Sequence, residues 1–283
     1  MRLLSAIYGF EITRPISYGS WRIEPIIDSP EQANTLARDP EAYNLTAIVV
    51  GDTFPENERF KLEGVLCFIE HLDVIVFPAI QLIDDAEPDA SKLPRILRRQ
   101  RRHSGVGAVI ARDLLFHQSR TDFLTLAMSK LSDDEFCKST KFNILFFKCI
   151  ETFRQRSPFL EISYFLLFSG LESFARASLN DTKTRDAAKP IYSQLSSYGL
   201  NVVLEDLSDL PRSIRTYARL RNSLFHNSEF RHTIHIGNSE IQLDATTYFF
   251  HLSMLVNLTI LKAVGFDDGH TNWEAWLDRQ MHY

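Results

Sequence analysis

The segment formed by residues 159–179 limits the possible folds of this chain more than any other. It is apolar on nearly every side of a helix, and a helix with that pattern has to be buried among other elements. We therefore expect it to be the central helix of a bundle. It ends at Asn180-Asp181, a pair of residues that favours a turn.

Helical periodicity continues through most of the chain after residue 120, whereas short apolar runs with β-branched residues mark the part before it. We predict an α+β fold in two domains: a mostly antiparallel, β-rich domain over residues 1–120 and a helical domain over residues 121–283. The predicted strands are residues 21–27, 45–50, 64–69 and 74–77, and a short helix is predicted within residues 30–43. The predicted later elements are a helix over 142–153 and a helix or helix pair over 184–198, which Pro190 breaks and Gly199 ends. They continue with a helix that Asp209 caps and that starts at Leu210-Pro211, a hairpin over 232–243 turning at Gly237-Asn238, and a helix over 246–264 between Asp244 and Gly265.

Composition excludes several classes of protein and ligand. A formal charge of −5 provides no overall basic field, so any nucleic-acid site has to be a local patch. Three scattered cysteines without a CxxC pair fit a reducing cytoplasm, and we expect neither a signal peptide nor a membrane span.

His232 and His235 lie on opposite faces of a predicted strand, and no glycine-rich phosphate loop occurs. We therefore expect neither a metal nor a cofactor.

A polar stripe follows the predicted helix near residue 220. At 100° per residue from Ile214, four polar side chains with spacing i, i+4, i+7 and i+11 fall between about 80° and 140°. No carboxylate belongs to this stripe, which is typical of a phosphate-binding surface. Its members are Arg215, Arg219, Asn222 and His226.

Arg221 breaks this pattern, since it falls within the apolar face of the same helix. A guanidinium there is costly unless it is paired. Glu172, on the otherwise apolar central helix, is the partner that we predict. Two interpretations stay open: Arg221 lines a polar cleft, or the pair is a buried structural contact and His226 is a polar residue at a fraying helix end.

The string Arg221-Asn222-x-x-x-His226, preceded by a long apolar helix with Leu171-Glu172, resembles the motif of the HEPN superfamily. The variant is similar to that of the Apea-like HEPN proteins of bacteria, and the resemblance covers roughly residues 122–283. The resemblance implies a helical bundle and a metal-independent endoribonuclease that acts as a homodimer, with two motifs facing one cleft. It also implies that Arg221 and His226 are the catalytic pair, supported by Asn222 and, less consistently across the family, by an acidic residue at the place of Glu172.

Family members act in toxin–antitoxin, CRISPR-linked and abortive-infection systems, so the resemblance implies a cytoplasmic toxin or antiphage effector that cuts RNA. A possible antitoxin or regulator is the further partner it implies, with the first domain as the sensor. Two other hypotheses stay open. The helical domain is a non-catalytic dimerisation or RNA-binding module, or the first domain carries the main activity, such as small-molecule binding.

A dense basic run lies outside the region of the resemblance. Within a chain of net negative charge it is a candidate track for RNA phosphates, with Arg98, Arg99, Arg101 and Arg102 as the contacts. The alternative is that it pairs with the acidic loop before it, residues 84–89. The whole run consists of Arg95, Arg98, Arg99, Arg101, Arg102 and His103.

Overall fold

A computed structural model describes residues 2–81, 89–99, 108–112, 115–116, 118–154, 159–237 and 239–280. The chain forms two compact units, Met1–Ser129 (unit 1) and Lys130–Tyr283 (unit 2). The division falls nine residues after the boundary expected from the sequence, within the helix Ser119–Ser132. Unit 1 contains an antiparallel sheet together with helices, and unit 2 is mostly helical, which confirms the α+β prediction.

Unit 1 is built on an antiparallel sheet that has seven strands among the described residues. The long central strand pairs along its length with the first strand on one side and with the third on the other. The order is β2-β3-β4-β1-β5, while β6 also pairs with β1 and β7 with β4. The strands are β1 (Leu3–Tyr8), β2 (Ile16–Tyr18), β3 (Trp21–Pro25), β4 (Tyr43–Gly51), β5 (Ile75–Val76), β6 (Ile80–Gln81) and β7 (Ile96–Leu97).

Three helices accompany this sheet: α1 (Pro30–Ala37), α2 (Glu56–Glu70) and α3 (Ser119–Ser132). The strand predicted over residues 64–69 is wrong, because this segment is the second half of α2. Every residue from Gly64 to Glu70 is buried. An apolar run buried on all sides has no periodicity that separates a strand from a helix, so the pattern alone was ambiguous.

A cluster of charged side chains lies in the interior of unit 1. Arg120 donates to Glu70 at 2.7 Å and approaches Glu11 at 3.5 Å, and all three side chains are at most 1% exposed. Arg38 reaches the second oxygen of Glu70 at 3.2 Å. Burial raises the pKa of Glu70, but Arg120 and Arg38 outweigh it and hold that pKa below its usual value; burial raises the pKa of Glu11. We call these four residues the buried cluster.

Unit 2 is a group of helices around one central helix. That helix, α6, contacts α4, α5, α7, α8 and α9, which confirms the position predicted for residues 159–179. A small antiparallel hairpin turns at Gly237, as predicted. The elements are α4 (Asp134–Thr140), α5 (Phe142–Arg154), α6 (Leu160–Ser178), α7 (Ala188–Ser197), α8 (Ile214–Asn227), β8 (Arg231–Ile236), β9 (Ser239–Asp244), α9 (Ala245–Val264) and α10 (Ala275–Asp278).

The helix α9 is long and apolar enough to cross a membrane by length and composition, but most of it is buried within the chain. Asp244 caps it by accepting from the Thr246 amide at 2.9 Å, and Gly265 ends it with φ at 79°, a left-handed conformation that suits glycine. Both ends agree with the prediction. The burial is that of a core helix.

Two helix starts differ from the predictions. The motif helix α8 begins at Ile214 and not at Leu210, because Asp209 accepts from the amide and guanidinium of Arg212 in a preceding turn. The helix α7 begins at Ala188, since the Asp186 carboxylate accepts from the Ala188 amide at 3.0 Å and ends the turn before it. Local side-chain bonds of this kind compete with helix formation.

Candidate functional site

The helices α6 and α8 pack against each other and place the motif. The Tyr164 hydroxyl donates to the Tyr217 carbonyl at 3.1 Å, and the rings of Phe165 and Phe225 lie 4.4 Å apart. On α8, the buried side chains recur with helical spacing, which fixes the rotation of the helix about its axis. These buried residues are Ile214, Thr216, Tyr217, Leu220, Ser223 and Leu224.

Arg221 makes the contact that its unusual position predicted. Its Nη2 donates to Glu172 Oε2 at 3.2 Å, and its guanidinium lies 4.9 Å from the centre of the Phe168 ring. The two charged side chains are 25% and 22% exposed, so the pair lies at the edge of the bundle and not in its core. The Arg221 Nε is buried and has no acceptor among the described residues. The guanidinium is therefore held in place but not fully satisfied.

Glu172 also pairs with a second arginine, Arg176. Its Oε1 accepts from Arg176 Nε at 2.9 Å, and Arg176 also donates to the Thr184 carbonyl at 2.7 Å. One carboxylate thus lies between two guanidinium groups, with one oxygen for each. Arg176 also approaches Asp181 at 3.7 Å, so two guanidinium groups and two carboxylates balance each other in charge here.

Asn222 and His226 lie on the solvent-exposed side of α8. His226 is in the last turn, before Ser228 ends the helix in a left-handed conformation. In an ideal helix, the side chains of Arg221 and His226 diverge by about 140°. Within one chain, the motif therefore presents its cation and its imidazole in different directions.

The two arginines of the polar stripe, Arg215 and Arg219, both form ion pairs. Arg215 pairs with Asp186 at 2.9 Å and with Glu205 at 3.0 Å, and Arg219 pairs with Glu205 at 2.5 Å. As predicted, α8 itself contributes no carboxylate to the stripe. The carboxylates that pair with its arginines come from other segments of the chain. A phosphate would have to displace Glu205 or Asp186 to reach either guanidinium.

The prediction of the site did not include three side chains that meet at α6, namely Phe165, Phe225 and Lys148. Phe225 was assigned to the apolar face, yet its ring is 48% exposed and lies against the 37% exposed ring of Phe165. Lys148, on α5, donates to Ser169 Oγ at 2.8 Å and lies 5.5 Å from the centre of the Phe165 ring. Periodicity alone does not reveal these contacts, because they depend on how α5 and α8 pack against α6.

The candidate RNA track lies in unit 1, where the structure describes Arg95, Arg98 and Arg99. All three side chains are exposed; Arg95 directly precedes the short strand β7, and Arg98 and Arg99 directly follow it. Arg101, Arg102 and the acidic loop 84–88 lie outside the described residues. The pairing of the basic run with that loop therefore stays a hypothesis.

Unit 1 also has a shallow polar cavity of about 530 Å³ beside the turn between β2 and β3. Arg2, Trp21, Arg22 and Asp52 contribute to its lining. Over the described ranges, no three His, Cys, Asp or Glu side chains lie close enough together to hold a metal ion. The charged or ionisable groups described at the α6–α8 edge are guanidinium, ammonium, imidazole and carboxylate groups.

Comparisons of the chain with protein-family models, with curated proteins and with solved structures found no match.

Proposed function

We propose that this chain is a metal-independent endoribonuclease of the HEPN type, with Arg221 and His226 as its catalytic residues. The observation that supports the proposal most is the placement of Arg221. Glu172 and the Phe168 ring hold its guanidinium at the edge of the bundle, on the helix whose exposed last turn carries His226. Asn222 lies between them on the exposed side of α8.

The chemistry needs one base and one cation. Neutral His226 removes the proton from a ribose 2′-hydroxyl, and the resulting oxygen attacks the adjacent phosphorus. The bond from phosphorus to the 5′-oxygen breaks, and that oxygen takes a proton from a second imidazole. Arg221 neutralises the charge that grows on the phosphoryl oxygens. The products are a 2′,3′-cyclic phosphate and a 5′-hydroxyl.

A homodimer supplies the second imidazole. Since Arg221 and His226 diverge on one helix, a two-fold arrangement of two α8 helices is the simplest way to bring both kinds of group to one phosphate. RNA is then the substrate, and a second copy of the chain is the partner.

The cellular role follows from the resemblance of the motif. We propose a cytoplasmic toxin or antiphage effector of the abortive-infection kind, with unit 1 as its sensor and an antitoxin or another regulator as a further partner. Exposed Arg98 and Arg99 in unit 1 fit RNA phosphate contacts.

One observation favours a second candidate, a non-catalytic RNA-binding or dimerisation module. Arg215 and Arg219 are neutralised by Asp186 and Glu205, so the stripe offers less free positive charge than its sequence indicates. A module of this kind would dimerise but would not cut RNA.

Purified protein incubated with a mixed RNA pool in EDTA separates the two candidates. Wild type should cleave, His226→Ala should not, and both should have the same melting temperature. His235→Ala is the matched control, because His235 is an exposed histidine on β8, outside the motif. Equal cleavage by wild type and His226→Ala, or cleavage that needs a divalent metal, would refute the proposed mechanism.

A further inference from the structure

Resting on the proposed function, we infer that the rings of Phe165 and Phe225 form a platform on which an unpaired RNA base stacks, and that the Lys148 ammonium binds the phosphate next to that base. The substrate class is therefore single-stranded RNA. In a duplex, bases are stacked on their neighbours and cannot lie on a protein side chain.

The ring pair has the geometry of a platform. The two centroids are 4.4 Å apart and the planes are inclined by 38°, so the rings lie partly face to face, each fixes the position of the other, and a base stacks on a ring face that points outward. Both rings nevertheless stay more than one third exposed. Exposed aromatic rings of this kind accept any base, because every base has a flat π face, and such stacking is worth about 1–3 kcal/mol per base.

Lys148 supplies a positive charge that no carboxylate offsets. Its ammonium donates to the Ser169 hydroxyl, and no acidic partner lies within ion-pair distance among the described residues. Arg219 and Arg221, in contrast, each have a carboxylate partner. Burial lowers the pKa of Lys148, which indicates that the ammonium is already partly desolvated and gains from an anion.

These groups follow one stripe of α6. Phe165, Ser169 and Glu172 are spaced i, i+4 and i+7, so the ring, the bound ammonium and the partner of Arg221 lie in a row on one face. The row is about 10 Å long at 1.5 Å per residue. A nucleotide whose base lies on the rings therefore has cations beside its phosphates, with Lys148 at one position and Arg221 at the next.

A second copy of the chain is the competing occupant, since exposed Phe159 and Ile162 continue the apolar stripe of α6 away from Arg221. Lys148 favours RNA. Covering the Phe165–Phe225 rings with another apolar surface would bury an ammonium that lacks an acidic partner, which is strongly unfavourable. A nucleotide brings its own anion to that place.

The test uses a short single-stranded RNA with one 2-aminopurine, whose fluorescence is quenched when the base stacks. Binding is measured with the His226→Ala protein so that the RNA stays intact. We expect quenching that Phe225→Leu and Phe165→Leu each abolish, with binding weakened about 5- to 150-fold. Phe159→Leu, on the same helix but outside the platform, should quench like its parent. Lys148→Met should lower the salt dependence of binding by about one phosphate contact.

The same substitutions in the active protein should raise KM and leave kcat nearly unchanged. Unaltered quenching and KM in Phe225→Leu would overturn the platform while leaving the nuclease proposal intact if wild type cleaves. Quenching that depends on Phe225 in a protein that never cleaves would support the platform and contradict the nuclease proposal. If Phe225→Leu turns a dimer into a monomer by sedimentation and leaves quenching unchanged, the rings are a subunit contact and the inference is wrong.

Discussion

The two units each contain a cluster of arginine and glutamate side chains, and the clusters differ in their access to water. In the buried cluster of unit 1, Arg120 and Glu70 are at most 1% exposed, and backbone carbonyls at Ala111 and Glu11 accept further bonds from the guanidinium. In unit 2, Arg221 and Glu172 remain about one quarter exposed. The arginine–glutamate pair is therefore shielded from water in unit 1 and accessible to water in unit 2.

Burial decides what each pair is able to do. A charge inside unit 1 cannot exchange its partner without exposing a bare charge to a medium of low dielectric constant. Arg221 is about one quarter exposed and has an unsatisfied Nε, so it can take a phosphate as a further partner while Glu172 holds it in place. We infer that the first cluster holds its unit together and that the second one is available to a ligand.

The largest expected effect is on the stability of unit 1. Glu70→Gln removes the carboxylate that Arg120 and Arg38 share, and we expect a loss of about 3–5 kcal/mol in the free energy of unfolding. Glu172→Gln is the matched change in unit 2 and should cost about 1 kcal/mol or less. Urea titration followed by hydrogen exchange reports the two units separately, and equal losses would remove the distinction between the clusters.

The next effect is on activity in unit 2. Arg221→Ala should slow RNA cleavage about 100- to 1,000-fold, because one preorganised donor to the phosphoryl oxygens is lost. Arg221→Lys should not restore the rate, since an ammonium cannot replace the planar fork that Glu172 orients. Single-turnover cleavage rates measure this. A loss of stability as large as that of Glu70→Gln would instead assign Arg221 a structural role.

Acid should weaken unit 1 through the residue that follows Glu70. Burial lowers the pKa of His71 from 6.5 to about 4, so the unfolded chain binds a proton there more readily than the folded one. The stability that neutral His71 provides is complete above pH 6.5 and falls by about 3 kcal/mol as the pH decreases to 4. Asparagine tolerates the left-handed backbone at position 71. His71→Asn should therefore abolish the part of the pH dependence of the free energy of unfolding that this imidazole causes, as measured in urea melts at successive pH values. An unchanged slope would show that another group titrates.

The smallest expected effect concerns the paired arginines of α8. Because Glu205 neutralises Arg215 and Arg219, Glu205→Gln should free positive charge and strengthen RNA binding a few-fold, with a steeper salt dependence. Asp134→Asn, an exposed acid in the first turn of α4, is the control for the change in net charge. Binding that does not change relative to this control would exclude Arg215 and Arg219 from the RNA contact.

The sequence predicted those features that depend on local periodicity or on a single charged residue within an apolar helix face. The central helix, the hairpin and the caps of α9 follow from local pattern, and the contact between Arg221 and Glu172 follows from a charge in an apolar face. What was missed depends on distant segments. Glu205 and Asp186 reach the α8 stripe from other parts of the chain, and the exposure of Phe225 depends on how α8 packs against α6. Nothing in the sequence around α8 contains that information.

We propose that the chain cuts RNA through a ribose 2′-hydroxyl, without a metal. Replacing that hydroxyl with hydrogen at a single mapped cleavage position, and comparing the two RNAs in EDTA, tests this directly. We expect wild type to cut the all-ribose RNA to a 2′,3′-cyclic phosphate and a 5′-hydroxyl, and to leave the 2′-deoxy position intact. Cleavage at the 2′-deoxy position, or 3′-hydroxyl ends from the ribose RNA, would contradict it.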